Sequence, residues 1–164
     1  MFPTSPPESP PGAVPSDVPA AQVVRVALVD DDPFVLTALR AYLSSSPRIE
    51  VASTFNRAAD ALAFLRTVPV HVLLTDVRMP GMDGLELLTR VRSRHPRTAV
   101  VMLTSFDDDE AMLTALSQAA NGFLLKDSAP EEIVRAVLAA ADGGTTISPA
   151  TASRLVAHHL RPVR

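Results

Sequence analysis

The chain contains no cysteine, which excludes disulfides and thiolate-held metals and leaves its compartment open. No apolar run approaches the ~20 residues that span a bilayer. The N-terminus also lacks the basic-then-apolar order of a secretory leader. Positive charge is not in excess. With 15 basic against 18 acidic residues the net charge is −3, which gives no electrostatic footprint for nucleic acid. Lysine is nearly missing: fourteen of the basic residues are arginine, and the one lysine is Lys126. What is present, 47% apolar and 20% charged residues over 164 positions, fits an ordinary globular domain with its own core.

Residues 1–22, "MFPTSPPESPPGAVPSDVPAAQ", hold seven of the 15 prolines and almost no large apolar side chains. That composition buries too little surface to offset its ordering entropy, so a disordered tail is expected ahead of a proline-rich partner ligand. From Val23 a pattern starts and recurs. Apolar runs stand at 23–29, 49–53, 70–75, 99–104 and 122–126, separated by segments of helical spacing. The apolar stripes are Leu36, Leu39 and Leu43; Ala58, Ala61, Leu62 and Leu65; Leu85, Leu88 and Val91; Met112, Ala115 and Leu116; and Ile133, Val137 and Leu138. Asp32-Pro33 reads as an N-cap with proline at the first helical position, and Pro130 repeats the device after Ser128-Ala129. Gly143-Gly144 stops the last helix of the series.

Five strands alternating with five helices predict an α/β domain with a parallel sheet. The runs at 70–75 and 99–103 suit central strands covered on both faces, and the alternating run at 49–53 suits an edge. Right-handed crossovers leave few topologies, of which the flavodoxin-like order 2-1-3-4-5 is a common one. In that order the strand ends converge. Asp30, Asp31 and Asp32 follow the first strand, Asp76 ends the third, Thr104-Ser105 the fourth and Lys126 the fifth. Taken singly each has a bland reading: Asp32 a cap, Asp30 and Asp31 solvated acids, Asp76 a turn opener, Thr104 a strand residue, Lys126 a strand-end lysine. Together they are harder to dismiss, because clustered carboxylates repel unless a cation is present. An all-oxygen set without histidine or cysteine suits a hard divalent ion such as Mg²⁺.

The stretches "VALVDDDPFV", "VHVLLTDVRMPGMDGLELL", "VVMLTSFDDDE" and "NGFLLKDSAPEEI" together resemble the receiver domains of two-component response regulators, within them the NarL/FixJ (LuxR-type) kind. The resemblance implies a flavodoxin-like, CheY-like three-layer sandwich. It implies Asp76 as phospho-acceptor from a sensor histidine kinase, with Asp30, Asp31, Asp76 and the Arg78 backbone carbonyl holding Mg²⁺. Thr104 and Lys126 would contact the phosphoryl group, and Phe123 would be the aromatic switch partner of Thr104. It further implies cytoplasmic signalling with no membrane contact, a homodimer formed on phosphorylation, and DNA binding only through an output domain outside these residues. The expected organisation is a tail at 1–22, a receiver at 23–142 and a linker helix at 143–164 leading towards a helix-turn-helix domain, the helix spanning "TISPATASRLVAHHL" (146–160). Two positions depart from the broad pattern: Asp32 stands where this kind commonly has histidine, and Asp127 where many receivers have proline. With Phe106 and Arg78 flanking the path of attacking water, a long-lived phosphoryl state is expected.

Rival readings fare worse. Haloacid-dehalogenase-like phosphatases resemble one another in a second aspartate two residues after the first, and that position is Arg78 here. A dinucleotide site needs glycine in the first strand–helix turn, which reads "DDDPF". A receiver fold used purely for protein contacts, without phosphorylation, is the strongest alternative. The retained acids and lysine argue against it. Adjacent His158 and His159 do not face one way on a helix and are read as surface residues.

Overall fold

The computed structural model describes residues 22–105, 109–147, 152–153 and 157. The elements alternate as the periodicity requires: β1 (Val24–Val29), α1 (Pro33–Ser44), β2 (Ile49–Phe55), α2 (Ala58–Leu65), β3 (Val72–Asp76), α3 (Gly84–Arg94), β4 (Ala99–Thr104), α4 (Asp109–Ser117), β5 (Gly122–Leu125) and α5 (Pro130–Ala141). A short β6 (Thr146–Ile147) follows. The sheet is parallel throughout, in the order β2-β1-β3-β4-β5-β6. The expected 2-1-3-4-5 arrangement is therefore present and is continued by one strand.

That sixth strand corrects two expectations. Gly122 pairs with Thr146 and Phe123 with Ile147, so the sheet extends past residue 142, and the linker helix does not begin at Thr146. The open edge of β5 offers backbone partners to the β-branched Thr146 and Ile147, which favour extended backbone over a first helical turn. Ala152, Ser153 and Ala157 are helical, and His158 and His159 lie outside the described residues.

Alternation along each strand divides the core into two layers. Val26, Leu28, Val72, Leu74, Val101 and Leu103 pack with Leu39 and Leu43 of α1 and Ile133, Ala136 and Val137 of α5. Ala27, Val29, Leu73, Val100, Met102 and Phe123 pack with α2, α3 and α4. Every residue of β3 and β4 is buried, as central strands covered on both sides must be. His71, included in the apolar run at 70–75, is exposed and precedes the strand. In α3 the buried face is Leu87, Leu88 and Val91, and the predicted Leu85 only flanks it.

The helix ends follow local chemistry. Asp32 Oδ1 accepts the Phe34 amide at 2.9 Å and Pro33 occupies the first turn. Asp83 caps α3 through the Glu86 amide at 2.8 Å. At α5 the cap position is Ala129, with no side-chain bond, so the Ser128-Ala129-Pro130 device keeps only its proline. Gly143, at φ +83°, lets its own amide and that of Gly144 return to the Ala140 and Ala139 carbonyls and close α5.

Candidate functional site

The carboxyl ends of β1, β3, β4 and β5 face one cleft of about 620 Å³, lined by Asp31, Asp32, Asp76, Arg78, Thr104, Ser105 and Lys126. This is the crevice beyond the strand ends where α/β sheets of this order bind ligands. β3 carries Asp76 into it as the last strand residue, paired with Leu103 of β4 and only 4% exposed. The next amide, Val77 N–H, bonds the Leu103 carbonyl at 3.1 Å, so the chain leaves the sheet in a fixed direction. β5 delivers Lys126, whose amide bonds the Thr104 carbonyl at 2.8 Å, tying the two strand ends together.

The three consecutive aspartates have separate positions. Asp30 is fully buried, and its Oδ1 accepts the Asp32 amide at 2.9 Å. Asp31 is exposed at the cleft wall. Asp32 caps α1. The extra negative charge expected at position 32 is thus spent partly on the helix terminus.

Lys126 Nζ lies 3.0 Å from Asp76 Oδ2 and 3.2 Å from Asp30 Oδ2. The second contact is close enough for charge attraction but not aligned as a hydrogen bond, which leaves Asp30 Oδ2 buried with no hydrogen-bond partner. Burial pushes the Asp76 carboxyl up to about 6; the Asp30 charge adds to this, and Lys126 and the Val77 amide oppose it. Asp30 is raised too, first by burial, against the Asp32 amide and Lys126. Burial works against the Lys126 ammonium, but the hydrogen bond and charge of Asp76, followed by Asp30, outweigh it and hold its pKa above the ordinary value.

Carboxylate oxygens of Asp30, Asp31 and Asp76 lie within 4.8 Å of one another. A hard-oxygen set, one member of which has a buried oxygen lacking a donor, fits a divalent ion of the Mg²⁺ class. The fold brings together Asp30, Asp31, Asp76, Arg78, Thr104 and Lys126, as the sequence predicts. Phe123 stands apart from the cleft. It is 1% exposed in the layer with α4, paired with Met102 on one side and Ile147 on the other. Phe106, assigned to the water path, lies outside the described residues.

Two residues next to Asp76 escape a reading of the sequence. Thr75 looks like any β-branched strand residue, yet its buried hydroxyl donates to the Asp76 carbonyl at 2.9 Å. Gly84, the first residue of α3, has no room for a side chain: a Cβ there would overlap the Asp76 carbonyl oxygen. The "DG" at 83–84 was the available signal, and it reads equally well as a turn.

Residues 26–138 match the response regulator receiver domain family. Over 131 residues the chain is 38% identical to the probable transcriptional regulatory protein NarL of Mycobacterium tuberculosis, covering 80% of this chain and 61% of that protein. The solved signal receiver domain of the putative response regulator NarL from that organism superposes with a TM-score of 0.71 at 39% identity, covering 74% of this chain and 98% of that one. The isolated receiver domain of RcsB from Salmonella enterica serovar Typhimurium, in the presence of the phosphomimetic BeF₃⁻, gives a TM-score of 0.75 at 27% identity, over 82% and 99% of the two chains. The chain spans about three-fifths of the length of the curated relatives it matches. With the parallel sheet, the acid-lined cleft and these matches in hand, the chain belongs to the response regulator receiver domain family, in its NarL-like branch.

Proposed function

We propose that Asp76 accepts a phosphoryl group from the phosphohistidine of a sensor kinase, and that this phosphorylation is the signal the domain relays. One observation carries the reading: a buried carboxylate at a strand end meets a single ammonium at 3.0 Å, with two further carboxylates alongside. In the transfer the phosphorus–nitrogen bond of the donor breaks as a phosphorus–oxygen bond to Asp76 forms. The leaving imidazole keeps the bonding pair and takes up a proton. The transition state is loose, so the domain's task is to position groups and offset charge on the equatorial oxygens. Lys126 does this as a compact ammonium with three donors. Asp30, Asp31, Asp76 and the Arg78 backbone carbonyl would hold Mg²⁺, whose charge offsets the repulsion between an anionic acceptor and an anionic phosphoryl group.

The signal leaves through Thr104 and Phe123. Thr104 is buried at the end of β4, and its hydroxyl would turn to the new phosphoryl oxygens, opening space for the Phe123 ring and shifting the face made by α4, β5 and α5 between two packings. The relatives are named as transcriptional regulators, and a cytoplasmic domain dimerising on phosphorylation and acting on DNA through an output domain beyond these residues is the role this chemistry serves. Among the described residues no helix is long and apolar enough to cross a membrane. Incubation with acetyl phosphate and Mg²⁺, followed by phosphate-affinity electrophoresis, should retard the wild-type chain and leave Asp76→Asn unshifted. An unmodified wild type would make the domain a phosphorylation-independent contact module instead, and an equally shifted variant would move the acceptor to a residue other than Asp76.

A further inference from the structure

Thr75 sits in the middle of the sheet, fully buried, between Val29 of β1 and Met102 of β4. Valine would fill that space with the same shape and no polar atom. A hydroxyl in such a place is costly unless it is bonded, and this one donates to the carbonyl of its neighbour, Asp76, at 2.9 Å. Pairing between β1 and β3 ends at Val29 and Thr75, so the Asp76 carbonyl lies past the last residue of β1 in register.

The consequence concerns one peptide plane. The unit joining Asp76 to Val77 is held at its oxygen by Thr75 and at its N–H by the Leu103 carbonyl at 3.1 Å. The first residue of α3 closes on it from outside: a Cβ on Gly84 would meet the Asp76 carbonyl, and the Gly84 amide bonds the Val77 carbonyl at 2.8 Å. Asp76 is itself a strand residue in register with Leu103, so a peptide plane held on its far side sets its ψ, and with it the direction in which Cα projects the carboxylate. The same plane carries the Val77 amide, which favours the anionic form of Asp76.

We propose that Thr75 is a positioning residue for phosphoryl acceptance: its hydroxyl locks the Asp76–Val77 peptide and so aims the nucleophilic carboxylate. This rests on the reading of Asp76 as the acceptor. Small misplacements of a reacting group are expensive, because an oriented near-attack geometry carries much of the rate. A residue that only filled the core would affect stability and leave the chemical step alone.

The test uses the whole chain with acetyl phosphate and Mg²⁺. In this reaction the bond between phosphorus and the acetate oxygen breaks, acetate leaves with the pair, and the acyl phosphate forms on Asp76. Time courses by phosphate-affinity electrophoresis over a range of donor concentrations give a maximal rate and a half-saturating concentration. Thr75→Val should lower the maximal rate by about tenfold, the scale of a sub-ångström misalignment, with half-saturation within about twofold. Thr75→Ser, which keeps the hydroxyl, should stay within about threefold of wild type, and Thr75→Ala should fall with valine. The serine–alanine pair, matched in the lost methyl, isolates the hydroxyl should valine misfold. Circular dichroism melts run alongside. Equal maximal rates for wild type and valine, or for serine and alanine, would overturn the proposal. A wild type that takes up no phosphate, like Asp76→Asn, would instead overturn the acceptor reading on which it rests.

Discussion

At position 32 the side chain does one visible thing: its Oδ1 takes the Phe34 amide and starts α1. Asp30, two residues earlier, receives the Asp32 amide in turn, so the turn from β1 into α1 is held by two side chains in series. A capping bond of this kind is worth about 1 kcal/mol, and asparagine supplies the same acceptor without the charge. Asp32→Ala should therefore lower unfolding free energy by about 1 kcal/mol in urea, and Asp32→Asn by only a few tenths. Both should still be shifted on phosphate-affinity gels after acetyl phosphate. Loss of phosphorylation in the asparagine variant would place Asp32 in the chemistry rather than the cap.

Among the elements, α3 is the one whose placement decides the site, because its first residue rests on the Asp76 carbonyl. Helix propensity alone favours alanine over glycine by about 1 kcal/mol. At Gly84 the sign should reverse. The added methyl must push α3 from β3, and overpacking of a buried contact costs roughly 2 kcal/mol. Urea denaturation of Gly84→Ala should show a net loss of about 1 kcal/mol, with slower acetylphosphate labelling as the clamped peptide shifts. A stabilised variant would mean that α3 can slide without cost. The periodic elements were readable from the chain because a stripe such as Ala58, Ala61, Leu62 and Leu65 is long enough to show a 3.6-residue repeat. The convergence of Asp30, Asp31, Asp76, Thr104 and Lys126 followed from strand order alone. β6 is two residues long and shows no period, so only the unpaired edge of β5 explains it. Thr75 hid for another reason: strand propensity already accounts for threonine there, and its bond runs to the adjacent residue, which leaves no spacing to read.

At the scale of the molecule, the site works against the fold that builds it. Asp76 is buried with an acidic neighbour, and its carboxyl is raised from 3.8 to about 6 in the folded protein. A raised acid binds more protons folded than unfolded, so stability falls as pH rises from about 4 through 6, and the cost persists above it. The shift sets that cost at roughly 3 kcal/mol, an upper figure because the Lys126 contact ties both groups together. Asp30 acts in the same direction. Raised Lys126 contributes the opposite term, which is present below its unfolded pKa and lost only at strongly basic pH, outside this window. Subtracting the Asp76→Asn curve cancels the groups that do not touch position 76, and the Lys126 term, which does change with it, falls at basic pH outside this window. In metal-free buffer the variant should gain on the wild type as pH rises from 4.5 to 7.5, by up to roughly 3 kcal/mol in urea unfolding. Adding Mg²⁺ should narrow the gap at pH 7.5, since ligand binding to the folded acid cluster stabilises the wild type and asparagine removes one of its oxygens. Parallel curves without metal would show that the fold carries its ionised acids at no cost, and that the cluster is not held under tension awaiting a cation.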